Sequence, residues 1–457
     1  MQYYKQQQKG THMKRWSITK LEAWKKNAKR KPLLLLGARQ VGKTWLMKEF
    51  GRLHYPKVVY IRFDNDPFIR QAFEQDYDVQ RLLMALQLRS GIDIDANTLI
   101  ILDEIQECPK ALTALKYFCE EARHLSIIAA GSLLGLEEHS GTGFPVGKVD
   151  RIYMYPMSYT EFLDACGYGM YVELLRRRDW KMIETFRPKF EEMLRYYYYV
   201  GGMPEAVAEF VDSQNMVEVR RLQESLLADY KNDFRKHASA AETHLITQIW
   251  NTIPELLANE DKRFMASAVE SGIRAAKLRG PLRWLQDAGL THTVSRVRTP
   301  EIPLDAYTDA VFKLFFLDVG LLSAKSKLPA ALLLEQNNIF KQYKGALTEQ
   351  YVLQQLLADC ALEPFYWSAE RAQAEIDFLL QLDGFPLPLE VKAERNLRAK
   401  SLHSFCKRFN SSLAIRSSMS PYELSSVDSG ASAGPYTLVD IPLFAISTLV
   451  DEVKCHL

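Results

Sequence analysis

A primary amine and a hydroxyl stand side by side at the end of the glycine-containing stretch GARQVGKT. The spacing G-x-x-x-x-G-K-T follows the apolar run LLLL and precedes a helical pattern, the context that a phosphate-binding loop requires. Glycines let successive backbone N–H groups turn toward phosphate oxygens, and the helix N-terminus adds positive potential. We expect Lys43 to reach the β- and γ-phosphates of ATP and Thr44 to hold Mg²⁺. The predicted nucleotide-binding residues are Gly37, Ala38, Arg39, Gln40, Val41, Gly42, Lys43 and Thr44.

Two acids, Asp103 and Glu104, follow a second apolar run in the stretch TLIILDEIQ. In an open α/β sheet, residues at the carboxyl end of a strand face the ligand crevice. Asp103 is therefore placed to position Mg²⁺, and Glu104 to orient the water that attacks the γ-phosphate. A strand that merely ends in solvated acids is the alternative, which the neighbouring phosphate loop disfavours.

A third apolar run, SIIAAGS, ends in Ser132. The Ser132 hydroxyl can hydrogen-bond the γ-phosphate or the attacking water, or it can cap the next helix. The sequence leaves both roles open. Together with the strand-like stretch KVVYIRF, these runs predict an α/β fold with a P-loop ATPase core and a parallel sheet.

A β-hairpin is predicted near the end of the chain, where AEIDFLLQ and PLPLEVKA flank Asp383-Gly384. This dipeptide favours a two-residue type I′ turn, in which residue 382 faces residue 385. Pro386 and Pro388 then fall at positions that need no ladder hydrogen bond, so the prolines are compatible with the strand.

Counting outward from that turn sets Asp377 opposite Glu390 and Glu375 opposite Lys392. Two facing carboxylates repel by about 0.2–1 kcal/mol, and a divalent cation between them would turn the repulsion into ligation. Lys392 could orient water or stabilise charge on a phosphate. Glu349, on the helix predicted before the hairpin, adds a third acid. The alternative is a solvated ladder in which Glu375 pairs with Lys392.

This arrangement resembles the site of restriction-endonuclease-like PD-(D/E)xK nucleases, which carry an acid on a preceding helix and D…E-x-K across a hairpin. The resemblance implies that Glu349, Asp377 and Glu390 bind Mg²⁺ or Mn²⁺ and that Lys392 is catalytic. Ile376 stands where many members have proline.

The overall composition excludes several classes of protein. The 457 residues carry 58 basic and 56 acidic side chains, so any affinity for nucleic acid must come from a local patch. The six cysteines are scattered without a C-x-x-C pair, which argues against a disulfide framework or a structural zinc site and fits a reducing cytoplasm. No apolar run approaches the roughly 20 residues that cross a bilayer. We expect a cytoplasmic protein without membrane contact.

The middle of the chain has a basic segment between residues 261 and 300. Three helical stretches followed by the strand-like THTVSRVR and VFKLFFLD resemble a winged helix. A face that contacts phosphates and a lid whose charges are merely solvated both remain open. The basic residues, which outnumber three acids, are Lys262, Arg263, Arg274, Lys277, Arg279, Arg283, Arg296 and Arg298.

The stretches GARQVGKT, LDEIQ, AAGS, GFPVGKVDRIYMYPMSYTEFL and YYYYVGGMPEAV together resemble the AAA-type P-loop ATPases of bacteria and archaea that carry a C-terminal domain of unknown function. The resemblance implies an ATPase with a helical lid. Family members often have Gly-Arg where this chain has Gly147-Lys148, which leaves the arginine finger unassigned, with Arg151 a weak candidate.

The predicted modules follow from these patterns. They are a polar extension (1–12), an AAA-type core (13–165), a helical lid (166–242), a winged helix (243–323), a connector (324–337) and a nuclease-like α/β domain (338–457). We expect an ATP-hydrolysing enzyme coupled to a metal-dependent nuclease-like domain that acts on nucleic acid. The alternative is an ATP-controlled switch whose C-terminal domain binds a partner or nucleic acid without cleaving it. DNA or RNA as substrate, and self-association into a homo-oligomer, stay open.

Overall fold

The chain forms two compact units in a computed structural model that describes residues 13–131, 145–334, 341–369, 374–394, 400–428 and 434–456. The N-terminal unit comprises residues 14–155 with 287–290, and the C-terminal unit is built from residues 156–286 and 291–457. The predicted lid, connector and nuclease-like domain fall in the C-terminal unit, as does the predicted winged helix apart from residues 287–290. Residues 156–165, predicted as the end of the AAA-type core, also belong to the C-terminal unit. The predicted extension at 1–12 lies outside the described residues.

The N-terminal unit contains a parallel sheet, as predicted. Its strands are β1 (Leu33–Leu36), β2 (Lys57–Arg62), β3 (Thr98–Asp103), β4 (Ser126–Ala130) and β5 (Asp150–Tyr153), in the order β2-β3-β4-β1-β5. Its helices are α1 (Ser17–Lys26), α2 (Lys43–His54), α3 (Pro67–Gln75), α4 (Val79–Ser90) and α5 (Pro109–Glu121). The parallel arrangement brings the carboxyl ends of β1 and β3 to the same edge of the sheet.

The apolar runs in this sheet reflect burial on both faces. Every residue of β1, β3 and β4 is buried, as expected when helices cover a parallel sheet. The chain leaves β1 through the phosphate loop and enters α2 directly after Gly42, whose φ of 93° lies in the left-handed region that glycine adopts at little cost. The phosphate loop, which follows β1, and Asp103, at the end of β3, therefore lie at the same edge of the sheet.

The C-terminal unit begins with helices and ends with an α/β region. Its helices are α6 (Tyr159–Ala165), α7 (Gly169–Arg177), α8 (Trp180–Thr185), α9 (Arg187–Val200), α10 (Pro204–Ser213), α11 (Met216–His237), α12 (Ala240–Ala258), α13 (Ala266–Val269), α14 (Ala275–Asp287), α15 (Val319–Lys325), α16 (Ala330–Leu334), α17 (Lys341–Ala358), α18 (Lys400–Phe409) and α19 (Leu449–His456).

One mixed sheet runs through the described part of this unit. Its strands are β6 (Thr291–Val297), β7 (Thr308–Phe316), β8 (Phe365–Ser368), β9 (Glu375–Leu382), β10 (Phe385–Val391), β11 (Leu413–Ser418), β12 (Glu423–Val427) and β13 (Tyr436–Pro442). The order is β12-β13-β11-β10-β9-β8-β6-β7. The hairpin β6–β7, predicted to belong to a separate winged helix, joins the C-terminal strands because β6 pairs in parallel with β8.

Three glutamines on α17 fix this helix against the rest of the unit. Gln350 exchanges hydrogen bonds with the backbone of Phe316, accepting from its N–H at 2.8 Å and donating to its carbonyl at 2.7 Å. Gln354 accepts from the Val319 N–H at 3.0 Å, and Gln355 accepts from the Tyr159 N–H at 2.7 Å. Because each buried amide satisfies backbone groups of another segment, the position of α17 and of Glu349 on it is set by long-range bonds.

A close backbone approach explains the glycine at position 202, which follows α9. A Cβ at Gly202 would lie 2.0 Å from the Met157 carbonyl oxygen, so no other residue fits there without movement. The Gly202 N–H donates to Asp318 Oδ1 at 2.6 Å, and Gln354 Nε2 donates to the same oxygen at 2.9 Å.

The segment predicted as a connector is partly helical. Helix α15 continues to Lys325, and α16 follows at Ala330–Leu334, while residues 335–337 lie outside the described part. Within the described residues, no helix has the length and apolar character needed to cross a membrane.

Candidate active sites

The phosphate loop has the backbone conformation that its glycines predict. Gly37 has φ 149°, and a Cβ there would lie 2.4 Å from the Met154 carbonyl oxygen. Gln40 and Gly42 also have positive φ, 65° and 93°. A loop with such alternations directs successive N–H groups into one concavity, which is the geometry that binds a phosphate.

The Lys43 amine lies across the loop. Its Nζ donates to the carbonyl oxygens of Gly37 at 2.9 Å and Ala38 at 2.8 Å. Desolvation lowers the pKa of Lys43 to about 8, while Glu104 and Asp103 oppose the shift. An arriving phosphate would supply the negative charge that favours the ammonium form.

Asp103 is the centre of a hydrogen-bond network at the end of β3. Its Oδ2 accepts from Thr44 Oγ1 at 2.8 Å and from the Tyr60 hydroxyl at 2.9 Å, and its Oδ1 accepts from the Glu104 N–H at 3.1 Å. A carboxylate and a hydroxyl in contact are oxygen ligands of the kind that Mg²⁺ takes beside nucleotide phosphates, so the residues fit the predicted cation.

Glu104 has a strained backbone. Its φ of 52° and ψ of 44° lie in the left-handed region, which is uncommon for a residue other than glycine and concentrates at functional sites. Gln106 Nε2 donates to Glu104 Oε2 at 2.6 Å. This bond holds the carboxylate that we predicted to orient water.

Three residues of this site were missed by the sequence analysis. Tyr60 lies on β2 and reaches Asp103 because β2 and β3 are neighbours. The spacing in LDEIQ carried a usable signal for Gln106, two positions after Glu104. Arg15 is buried and donates to the Val41 carbonyl at 2.6 Å and the Tyr155 carbonyl at 2.7 Å, and no local pattern marks it. Ser132 lies outside the described residues.

The predicted hairpin in the C-terminal unit is confirmed. Phe385 pairs with Leu382, and the register continues to Leu389 opposite Phe378. Asp383 and Gly384 have φ of 48° and 84°, the two positive values that a type I′ turn requires. Asp377 and Glu390 are the next residues of the two strands after this last pair.

Three carboxylates converge near this step. Glu349 and Glu390 are buried and Asp377 is partly buried. Burial raises the pKa of Asp377 to about 7, and Glu349 and Glu390 act in the same direction. Asp377 Oδ2 accepts from the Val391 N–H at 2.8 Å, and Lys392 Nζ lies 2.5 Å from Glu390 Oε1. Asp377, Glu390 and Lys392 thus lie close to one another at this end of the hairpin.

The alternative that the sequence left open, a ladder in which Glu375 pairs with Lys392, differs from the pairs in the structure, where Lys392 pairs with Glu390. Glu375 instead pairs with Lys313, whose Nζ lies 2.5 Å from Glu375 Oε1. The same Nζ lies 4.0 Å from Glu349 Oε2. Lys262 forms a second ion pair with Glu349. Both lysines were missed because they arrive with the β6–β7 hairpin and the loop before α13. A lysine inside the apolar run VFKLFF was the available signal for Lys313.

The carboxylate cluster fits a metal ion only in part. Glu349 Oε2 and Glu390 Oε2 are buried and accept no hydrogen bond from the described residues, and such oxygens could be satisfied by a cation. The same carboxylates are already paired with amines, however, and no group of three acids, histidines or cysteines in the described ranges is arranged to hold a metal ion.

Three family matches divide the chain. A family described as an AAA domain matches residues 29–163, and two families described as domains of unknown function, DUF8612 and DUF4143, match residues 191–332 and 344–432. The N-terminal region is therefore an AAA-type P-loop ATPase domain, which implies ATP as the nucleotide and Mg²⁺ as its cation. No curated protein sequence is significantly similar to this chain.

Several solved structures align with the chain at low similarity. A Walker-type ATPase of Pyrococcus abyssi is 15% identical, with a TM-score of 0.43, over 68% of this chain and 94% of its own. Cdc6p of Pyrobaculum aerophilum is 13% identical, with a TM-score of 0.24, over 69% and 92%. The Drosophila ORC, solved bound to DNA, is 13% identical, with a TM-score of 0.26, over 68% and 85%.

Proposed function

We propose that this protein hydrolyses Mg·ATP and that its nucleotide state controls what the C-terminal unit binds. The observation that carries the ATPase proposal is the 2.8 Å hydrogen bond from Thr44 to Asp103, which joins the two predicted Mg²⁺ ligands at one edge of the sheet. Lys43 would stabilise charge on the β- and γ-phosphates. Glu104, held by Gln106, would orient the attacking water.

The C-terminal unit acts in this proposal as a binding module. Amines pair with two of the three converging carboxylates, Lys262 with Glu349 and Lys392 with Glu390, and Lys313 pairs with the neighbouring Glu375. These amines offset much of the charge for which a cation would otherwise be needed. This pairing favours the switch over the nuclease.

Nucleic acid is the proposed partner of the basic segment. The helices α12, α13 and α14 precede the β6–β7 hairpin. The backbone of Arg263 forms an isolated antiparallel β-bridge with that of Lys313 on β7. This order supports the winged-helix proposal. Arg274, Lys277 and Arg279 are exposed and are the side chains best placed to contact phosphates.

Part of the basic segment is engaged within the protein itself. Arg296 and Arg298 both contact Asp309, at 2.6 and 3.1 Å, and Arg263 pairs with Asp261. Because these three arginines already pair with carboxylates, they contribute less positive charge for binding a nucleic acid than the count of eight basic residues indicated. We therefore assign the nucleic-acid contact to the exposed group before and within α14.

A metal-dependent nuclease is the second candidate function. The confirmed hairpin register and the two unsatisfied carboxylate oxygens favour it. Glu349, Asp377 and Glu390 would hold Mg²⁺ or Mn²⁺, and the cation would polarise a phosphate and activate water. Lys392 would contribute to the chemistry without binding the metal, because an ammonium cannot ligate a cation.

A nicking assay separates the two candidates. Single- and double-stranded DNA and RNA would be incubated with the full chain in Mg²⁺ or Mn²⁺, with and without ATP, and binding would be measured in parallel. The switch predicts ATP-dependent binding without cleavage. The nuclease predicts cleavage that Asp377→Asn abolishes together with metal binding, whereas Lys392→Ala loses cleavage and keeps the metal.

A further inference from the structure

A pocket of about 560 Å³ lies in the C-terminal unit, away from the carboxylate cluster. Side chains of α11, α12 and the end of α15 line it. Trp250, Leu227 and Pro254 give it an apolar wall. Nothing in the proposed ATPase or binding function uses this pocket.

Lys325 is the unusual group in the pocket. It is partly buried, its Nζ donates to Asn251 Oδ1 at 2.9 Å, and it lies 5.3 Å from the centre of the Trp250 ring. Among the residues that the structure describes, no carboxylate pairs with it. Burial lowers the pKa of Lys325 to about 7, and Lys231 acts in the same direction. A desolvated cation beside another cation is unfavourable until a negative charge joins it.

The other charges in the pocket leave it with a positive balance. Lys231 and Lys327 line it with Lys325, and the acids are Glu224 and Glu255. Glu224, Glu255, Lys231 and Lys327 are all exposed, so solvent and salt screen them alike. Lys325 is the one partly buried charge among the described residues that line the pocket.

The indole of Trp250 is fully buried. Its N–H meets no acceptor in the described part of the chain. A buried donor without an acceptor is uncommon in proteins, because it costs free energy to leave it unsatisfied. The nitrogen itself is buried, so what Trp250 contributes to the pocket is its ring, whose centre lies 5.3 Å from Lys325 Nζ.

We propose that this pocket binds a small organic anion, a carboxylate or phosphate monoester that carries an apolar group. The negative charge lies against Lys325 and Lys231, and the apolar part packs on Trp250, Leu227 and Pro254. Glu224 and Glu255 select against a long polyanion such as a nucleic-acid backbone, because it would pass both exposed acids.

Competitive acetylation with acetic anhydride tests the proposal, read by mass spectrometry lysine by lysine. The parent is the full chain with Lys43→Ala, so that the phosphate loop does not bind the probe, and the probe is phenyl phosphate. We expect Lys325 to titrate near its lowered pKa of about 7. Saturating phenyl phosphate should slow its acetylation about tenfold, the effect of raising the pKa by about one unit. Exposed Lys181 on α8, which does not line the pocket, is the internal control and should not change.

A variant series locates the binding charge. Lys231→Met should raise the pKa of Lys325 and weaken phenyl phosphate binding about tenfold, whereas the matched Lys181→Met should change neither. Phenol, which lacks the charge, should not protect Lys325. If neither phenyl phosphate nor benzoate protects Lys325 in the parent chain, the proposal is overturned whatever the Lys231 variant does.

Discussion

Lys262 forms an ion pair with Glu349. The lysine lies in the loop between α12 and α13, and Glu349 lies on α17 and is one of the carboxylates that a cation site there would use. Glu349 is buried, and Lys262 lowers its pKa more than any other neighbouring charge does. Lys313 also lowers the pKa of Glu349. The lysine therefore takes the place, electrostatically, that a divalent ion would take in a nuclease.

Removing this lysine should uncover a cation site. In a Lys43→Ala background, which silences the phosphate loop, Lys262→Ala should bind Mn²⁺ about tenfold more tightly than the Lys43→Ala parent, as measured by calorimetry. Lys277→Ala is the matched control. The added Asp377→Asn change should abolish the gain. Mn²⁺ binding that is equal in the parent and in Lys262→Ala would show that the lysine does not compete with metal.

The ATPase site makes a two-variant prediction. Lys43→Ala should abolish nucleotide binding because the loop loses its phosphate cation. Glu104→Gln should keep ATP bound and lower kcat about 100-fold or more, because only the orientation of water is lost. Equilibrium binding and steady-state hydrolysis together measure this. Wild-type turnover in Glu104→Gln would exclude Glu104 as the residue that orients the attacking water.

Tyr60 should act as a positioning residue for Asp103. Tyr60→Phe removes a hydroxyl that donates to Asp103 Oδ2 at 2.9 Å, and the loss of one hydrogen bond to a charged group costs about 1.5–3 kcal/mol. We expect the Mg²⁺ concentration at half-maximal hydrolysis to rise about tenfold or more. The KM for ATP at saturating Mg²⁺ should change little. A change in that KM alone, with an unaltered Mg²⁺ profile, would contradict the role.

The exposed basic group should dominate nucleic-acid binding. Changing Arg274, Lys277 and Arg279 together to Gln should weaken binding and flatten its dependence on salt, because up to three phosphate contacts are lost. A salt titration of the affinity measures both effects. Changing Arg296 and Arg298, which contact Asp309, should have a smaller effect on the slope. An unchanged slope in the triple variant would favour a lid with solvated charges.

Asp359 should make the stability depend on pH. Burial raises the pKa of Asp359 to about 7, although Thr160 Oγ1 donates to Oδ2 at 2.9 Å. An acid whose pKa is higher in the folded state binds more protons there, so the free energy of unfolding falls as pH rises from about 4 to 7. Asp359→Asn should remove this fall and raise stability at pH 8 by about 1–2 kcal/mol. Thermal melts of both proteins at pH 5 and pH 8 test it, and an equal pH response would contradict it.

The sequence by itself determined the parts that depend on neighbouring residues. The phosphate loop is written in one stretch, with Gly37 and Gly42 at the positions that take positive φ. The hairpin register followed from Asp383-Gly384, because a two-residue turn fixes every pair that follows it. The apolar runs of the parallel sheet were equally local, since burial on both faces removes polar residues from them.

Only the tertiary structure decided which charges meet. Lys313 reaches Glu375 because β6 pairs with β8, a contact between segments that no local pattern specifies. Lys262 reaches Glu349 because the glutamines of α17, through bonds such as that from Gln350 to Phe316, set where the helix lies. Carboxylates read from a motif are compatible with a metal or with amines. Long-range packing decides which partner a carboxylate has, because it determines which positive group lies beside the buried carboxylate and offsets the cost of removing it from water.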